Sequence, residues 1–434
     1  MPDVTAPPVL IDIGVQESAQ ISGQFQNPYF QGPFKIGSNL YCVLQQTVAA
    51  GAIFNLNVFK STDGGLTWTL EDGANSPTVD QTAGFARVQA RLNPDGVTIT
   101  IGFTPVGGSN TVNFVTFSSV TDLFTAGVIP PVVASIGFDF VTRVNGEMVI
   151  FYALIVAPRI LETDIGFSVL SGGVWSAFVS IAAGDDPTKV GWSVPAVILD
   201  TASGVTKAFC RRTQLVGVNS FINDYYFELN AANASTVPTQ QSNRVQNDRP
   251  NYGRMVIFND SLCFPVYTVD GAATTFTMRV YIGAPLAAPV FTFTDLDTGP
   301  TVTFDCECGQ LAVDSGILWA VWIFAPDSGP ATSLKLRRAT NDGSGWTAIQ
   351  EFYDLFTNPP NAQAPDQQFM YAMNVGLRGS LGAIITVNDA ANFSIVSYFL
   401  LGPAAPPPPP AAVKRSDIQF WGVLRYLLKE EECE

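Results

Sequence analysis

The 434-residue chain contains no histidine. That absence excludes histidine general-base catalysis, Ser-His-Asp triads and the commonest transition-metal ligand. Charge is scarce as well. Only 14% of residues are charged, and 22 basic against 37 acidic residues give a net charge of −15. Basic residues occur as pairs, such as Arg211-Arg212 and Arg337-Arg338, and not as clusters. A surface that wraps nucleic acid needs more positive charge than this; a solvated acidic surface accounts for the balance. Cysteine is sparse, with six residues, of which Cys306 and Cys308 are the close pair. No matching second pair accompanies them, so neither a zinc centre nor a disulfide framework is expected. P-loops, dinucleotide fingerprints, nucleophile elbows and zinc-protease motifs are missing, so no cofactor and no metal are expected. The longest apolar run, 148–158, is too short to span a bilayer. The first residues lack the basic and apolar regions of a signal peptide. The expectation is synthesis in the cytoplasm, with the chain kept there or leaving within an assembly.

What the chain has is apolar, turn-punctuated sequence. Hydrophobic residues make up 47%, with 37 glycines and 31 phenylalanines. This composition fits half-buried strands joined by tight turns, and it argues against disorder. Hairpins of the form apolar strand, Asn/Asp/Gly/Ser turn, apolar strand occur at 36–42, 92–99, 141–149, 197–205, 256–263, 311–318 and 375–382. Their spacing of about 50–65 residues lies in the range of propeller blades. The expected fold is therefore all-β: a seven-bladed β-propeller of four-stranded antiparallel blades over residues 1–402. The last unit has three strands of its own. An N-terminal strand at 9–14 is expected to complete it and remove an exposed edge. A pair of β-sandwiches is the competing architecture, but seven in-register units fit a ring better.

One turn carries a sharper signature. Residues 61–68 read Ser-Thr-Asp-Gly-Gly-Leu-Thr-Trp. The Asp63 carboxylate can accept backbone N–H bonds across the turn, a glycine can take the left-handed position, and Trp68 opens the return strand. The pattern of Ser61, Asp63, Gly65, Thr67 and Trp68 resembles the Asp box of the sialidase (BNR) repeat family of β-propellers. Two degenerate copies sit in the same slot of other units. One keeps Ser168, Gly172 and Trp175, with Leu170 in place of the aspartate. The other keeps Thr340, Asp342 and Trp346 and is one residue shorter.

In that family the boxes are structural. Catalysis falls to an arginine triad, a Tyr/Glu nucleophile pair and an Asp acid/base, and the first arginine sits in a Phe/Tyr-Arg-Ile-Pro motif. The corresponding stretch here, 28–36, reads Pro-Tyr-Phe-Gln-Gly-Pro-Phe-Lys-Ile, so Lys35 stands where the arginine would be. No Asp or Glu lies between Ser18 and Thr62. The resemblance thus implies a propeller without the catalytic set, and no catalytic residue is assigned. The alternative is a divergent sialidase-like glycoside hydrolase working from the central pocket. Glycoside hydrolysis needs two carboxylates at a set separation; Asp305 and Glu307 would share a strand face.

The C-terminal stretch differs from the rest. Residues 403–412 are proline-rich and favour a stiff extended linker. Over 413–434, Ile418, Trp421, Leu424 and Leu428 recur at helical spacing behind Ser416, a possible cap. This reads as an amphipathic docking helix on a stalk, seated either in a protein partner or on its own propeller. Gly/Thr/Val-rich strands, no signal peptide and an attachment segment together resemble bacteriophage virion proteins, such as decoration, head-fibre or tail-associated proteins. The expected role is a structural or binding propeller on a virion surface, with glycans or proteins as ligands and neither nucleic acid nor a transmembrane segment involved.

Overall fold

The chain reverses where short polar side chains and glycine can close a tight turn. Between the strands Val88–Leu92 and Thr98–Phe103, Asp95 accepts hydrogen bonds from the backbone N–H groups of Val97 and Thr98, both at 2.9 Å. Gly96 takes a φ of 71° there, a conformation that costs residues with a Cβ. Between reversals the strands alternate. On Thr111–Ser118, Val112, Phe114 and Phe117 are buried while their neighbours are partly open.

This computed structural model describes most of 30–354. The stretches 50–52, 81–87, 105–110, 126–128, 134–135, 156–162, 184–190, 217–218, 243–248, 270–274, 301–308 and 325–334 and the single residues 66 and 315 are outside the description. Beyond that span it describes the strands Val9–Leu10, Glu17–Ser18, Gln368–Leu377, Ser380–Asn388 and Phe393–Leu400. Among the described residues the structure is all β apart from one 3-10 turn, Gly73–Asn75.

Six blades follow one another in chain order, each along a path of four antiparallel strands. Blade 1 comprises Phe30–Ile36, Asn39–Ala49, Ile53–Ser61 and Thr69–Glu71; blade 2, Val88–Leu92, Thr98–Phe103, Thr111–Ser118 and Leu123–Phe124. Blade 3 comprises Ile136–Thr142, Met148–Ile155, Thr163–Ser171 and Val174–Trp175; blade 4, Trp192–Asp200, Val205–Val216, Asn219–Leu229 and Thr239–Gln240. Blade 5 begins with Arg249–Tyr252, resumes as Val256–Phe258, and continues through Ser261–Val269, Thr275–Ala284 and Val290–Pro300. Blade 6 comprises Gly309–Asp314, Ile317–Phe324, Lys335–Asn341 and Gln350–Asp354. In blades 1, 2 and 3 the outermost strand breaks and resumes as Thr78–Asp80, Ile129–Val133 and Val179–Ala182.

The remaining sheet is of a different kind. Gln368–Leu377 lies against the first strand of blade 6 on one side and the first strand of blade 1 on the other. Its outermost position holds two N-terminal dipeptides paired to Phe393–Leu400, with Val9 opposite Tyr398 and Glu17 opposite Ser394. The expectation of seven four-stranded blades, the last completed by a strand at 9–14, is therefore corrected. The chain builds six such blades, and the sheet expected as a seventh is a composite of both chain ends. The hairpin signal at 375–382 is present there, but among the described residues this part of the chain supplies three strands, and two short N-terminal contacts take the place of a fourth. The expected linker 403–412 and docking helix 413–434 lie outside the described residues, and no α-helix occurs among those described.

Blades adhere through aromatic and aliphatic side chains. The Phe114 ring meets Phe138 and Phe140 of the next blade edge-on at 6.2 and 5.3 Å. Phe209 of blade 4 stacks on Phe264 of blade 5 at 4.2 Å. Each such ring contributes about 1.5–3 kcal/mol by leaving water. Aspartates add polar stitches across the same seams. Asp122 of blade 2 accepts from Tyr41 at 2.9 Å and pairs with Lys60, both of blade 1. Asp224 of blade 4 accepts from Tyr281 of blade 5 at 3.3 Å. Asp297 of blade 5 accepts from Trp322 and Arg337 of blade 6, both at 2.8 Å.

Candidate functional site

The first strand of each blade faces the axis of the ring, so polar side chains on those strands are the candidates for chemistry. Asp139, on the first strand of blade 3, is 2% exposed and sits between Phe138 and Phe140. Its Oδ1 accepts from Arg91 Nε at 3.2 Å and from the Phe140 N–H at 2.9 Å. Its Oδ2 accepts from Arg91 Nη2 and from the Val197 N–H, the latter at 2.9 Å. A carboxylate offers about four lone-pair sites, and all four are used by the protein itself. Arg91 comes from blade 2 and Val197 from blade 4, and Arg91 Nη2 also reaches the Val197 carbonyl at 3.4 Å. One carboxylate thus fastens three blades.

A second group spans the axis. Arg254 lies in the gap between the two pieces of the first strand of blade 5. Its guanidinium donates to Gln31 Oε1 of blade 1 and to the Ala90 carbonyl of blade 2, the latter at 3.2 Å. Its own N–H donates to Gln310 Oε1 of blade 6 at 3.0 Å. Gln31 is fully buried, and its amide Nε2 donates to the Val88 carbonyl at 3.2 Å. The Arg254 guanidinium also lies 5.8 Å from the Phe34 ring. This side chain reaches from blade 5 to blades 1 and 2, across the ring from it.

Arg91 and Arg254 meet the axis, each engaged by partners. Arg143 lies elsewhere, bonded to the Asn230 carbonyl at 3.1 Å and to Glu147 at 3.2 Å. A Tyr–Glu hydrogen bond does exist, from Tyr226 to Glu228 at 2.5 Å, on the third strand of blade 4. Lys207 shares the same Glu228 oxygen at 2.8 Å. Burial, and then the Glu228 carboxylate, push the Tyr226 hydroxyl far above its ordinary range. Its ring packs on Phe209 and Phe291, away from Arg91 and Arg254. Asp305, Glu307, Cys306 and Cys308 lie outside the described residues, as do Ile418, Trp421, Leu424 and Leu428.

The turn at 61–68 is closed by its own side chains. Ser61 is buried; its hydroxyl donates to Asp63 Oδ1 at 2.8 Å and accepts from the Gly65 N–H at 2.8 Å. Thr67 donates to Asp63 twice, from its N–H at 2.9 Å and from its hydroxyl at 2.7 Å. Trp68 Nε1 reaches the Gly65 carbonyl at 3.1 Å. Gly65 takes a φ of 94°, which the turn requires.

The degenerate copies are built differently. Ser168 is buried within a strand and bonds Tyr152 at 2.9 Å, while Gly172 lies in a tight turn. Trp175 leans on Phe114 and donates to the Pro130 carbonyl of blade 2. In blade 6, Asp342 accepts from the N–H and hydroxyl of Ser344, at 2.9 and 2.6 Å. The Thr340 carbonyl accepts from the Thr347 N–H at 2.8 Å, and Trp346 bridges to Asn341.

Sequence reasoning missed Asp139, Gln31 and Gln310. A signal was available for Asp139, a lone carboxylate inside the apolar run 138–141. Among the described residues no cluster of His, Cys, Asp and Glu could hold a metal ion. Among them, too, no helix is long and apolar enough to cross a membrane.

No protein-family model matches the chain, and no curated protein matches it. Solved propellers do resemble it in fold. An α-L-arabinanase from Penicillium chrysogenum, complexed with arabinobiose, is 12% identical over 91% of this chain and 98% of its own, with a TM-score of 0.44. A mutant of NanB sialidase from Streptococcus pneumoniae is 10% identical over 92% of this chain and 71% of its own, with a TM-score of 0.43. The β-propeller domain of the Trilobed protease from Pyrococcus furiosus is 11% identical over 88% and 99%, with a TM-score of 0.44.

Proposed function

We propose that this chain is a non-catalytic structural or binding propeller, carried on a larger assembly such as a virion. In this reading it binds glycans or proteins and attaches through residues 413–434. The observation that supports it most is the saturation of Asp139. A glycosidase needs a carboxyl free to give and take a proton, beside a second carboxyl or, in the sialidase family, a tyrosine as nucleophile. Asp139 is the acid within a first strand, where Asp200 and Asp314 stand only at strand ends, and every lone pair it has is taken by Arg91, Phe140 and Val197. Arg254 is likewise engaged, by Gln31 of blade 1 and the Ala90 carbonyl of blade 2.

The full chain, incubated with fluorogenic sialosides and arabinosides, should release no fluorophore above blank, and a glycan array should report any binding. Turnover above blank by the full chain would overturn the non-catalytic reading. A chain ending at Leu401 should keep its β circular dichroism yet stop co-purifying with the assembly. Undiminished co-purification would overturn the attachment.

A further inference from the structure

The chain holds a single Asn-Gly step, Asn145-Gly146. It forms the tip of the hairpin between Ile136–Thr142 and Met148–Ile155 in blade 3. Val144, Asn145 and Gly146 are all exposed, Val144 to 70%. Gly146 takes a φ of 85°, and no atom beyond its chain neighbours lies within 4 Å of where a Cβ would stand. No side chain therefore crowds the backbone nitrogen that follows Asn145.

The same turn controls a seam between blades. Glu147 Oε2 accepts from Arg143 Nη1 at 3.2 Å. The Arg143 guanidinium also donates to the Asn230 and Ala231 carbonyls of blade 4, at 3.1 and 3.4 Å. Asn145 Oδ1 accepts from the Glu147 N–H at 3.1 Å. The Asn145 side chain is also the largest influence holding the Glu147 carboxyl below its ordinary range.

We propose that Asn145 is a site of spontaneous deamidation, and that its conversion loosens the seam between blades 3 and 4. The Gly146 nitrogen attacks Asn145 Cγ. The new N–C bond closes a succinimide, the bond from Cγ to the amide nitrogen breaks, and ammonia leaves with the proton that Gly146 gives up. Water then opens the ring at either carbonyl, leaving aspartate or isoaspartate. The aspartate fits the turn, because Asp95 in blade 2 likewise accepts from the N–H two residues on, beside Gly96 at a φ of 71°. It sets a carboxylate beside Glu147 where an amide stood. The isoaspartate lengthens the backbone inside a turn that the Arg143 N–H closes on the Glu147 carbonyl at 2.7 Å. Both products weaken the hold of Glu147 on Arg143. The Gly146 N–H donates to the Arg143 carbonyl at 2.9 Å, which slows the attack relative to the unfolded chain.

Incubation of the full chain at mildly alkaline pH, followed by tryptic mapping, tests this. Peptide 144–159 has Asn145 as its one asparagine. It should gain the mass difference between an amide and an acid before any other asparagine peptide does, in two chromatographic forms, and more slowly in buffer than in urea. Asn145→Gln should stop the conversion, since the longer side chain must close a larger ring. The converted chain, separated by its added negative charge, should unfold at a lower urea midpoint than the fresh chain. A peptide 144–159 still unconverted in buffer after the urea sample has converted overturns the proposal, and so does another asparagine that converts first. Converted chain with an unchanged urea midpoint overturns the link to the seam.

Discussion

Replacing Asp139 with alanine should weaken the whole ring rather than one blade. The substitution removes four hydrogen bonds at once. It leaves the Arg91 guanidinium, whose side chain is 20% exposed, without its counter-charge. It also leaves the N–H groups of Phe140 and Val197 without the acceptor they share. Removing one partner of a buried ion pair costs about 3–5 kcal/mol. Each orphaned buried N–H adds about 1–3 kcal/mol if water cannot reach it. These terms overlap, so the expected loss is about 3–5 kcal/mol in total. Equilibrium urea unfolding, followed by tryptophan fluorescence, should show it as a lower midpoint at unchanged slope.

Asp139→Asn is informative because it keeps the shape. Its NH₂ group would face donors, so it should be nearly as damaging as alanine. Arg91→Met combined with Asp139→Leu should cost less than the sum of the single changes, since no unpaired charge remains. A loss of no more than about 0.5 kcal/mol for Asp139→Ala, the range of ordinary surface substitutions, would refute the claim that this carboxylate fastens the blades.

Other outcomes follow from the same structure. Asp63→Ala removes the acceptor for both Thr67 donors and should lower stability by about 1 kcal/mol; an unchanged urea midpoint would count against the turn as a fastening. The side chain of Asn145, aided by Ser171 and Arg143, holds the Glu147 carboxyl below its ordinary range, and the Ser344 hydroxyl and N–H do the same for Asp342. Their contribution to stability is complete above the ordinary carboxylate range near pH 4 and is lost as pH falls through the lowered values. Melting temperature should therefore drop on acidification below about pH 4, and a rise there would contradict the assignment. Burial pushes the thiols of Cys42 and Cys210 well up, and that of Cys263 up to about 12. Peptides bearing these three should take no iodoacetamide label in the folded protein and full label in urea. Rapid native labelling would mean that the blades open far more readily than their packing implies.

The turns were the legible part of the fold. The hairpins read at 36–42, 92–99, 141–149, 197–205, 256–263 and 311–318 all fall on the reversal between the first and second strands of a blade. Asn, Asp and Gly declare such turns locally, within a few residues. The turn at 61–68 was legible for the same reason, since every bond that closes it lies within five residues. Ser168 shows where that reading stops. It matches the spacing of Ser61, yet it bonds Tyr152 on the neighbouring strand.

Strand and turn alternation, the all-β class and the absence of histidine chemistry were thus determined by the sequence alone, because each depends on residue type and near neighbours. The number of equivalent blades was not, since a hairpin signal does not say whether the strand expected from the other end of the chain will pair along its full length. Nor was the axis legible. Arg254 meets Gln31 across 223 positions of sequence, and Arg91 meets Asp139 across 48. No local pattern encodes such meetings. Closure of the ring brings these residues together, and the tertiary structure therefore decided that Asp139 is bonded by residues of blades 2, 3 and 4 at once.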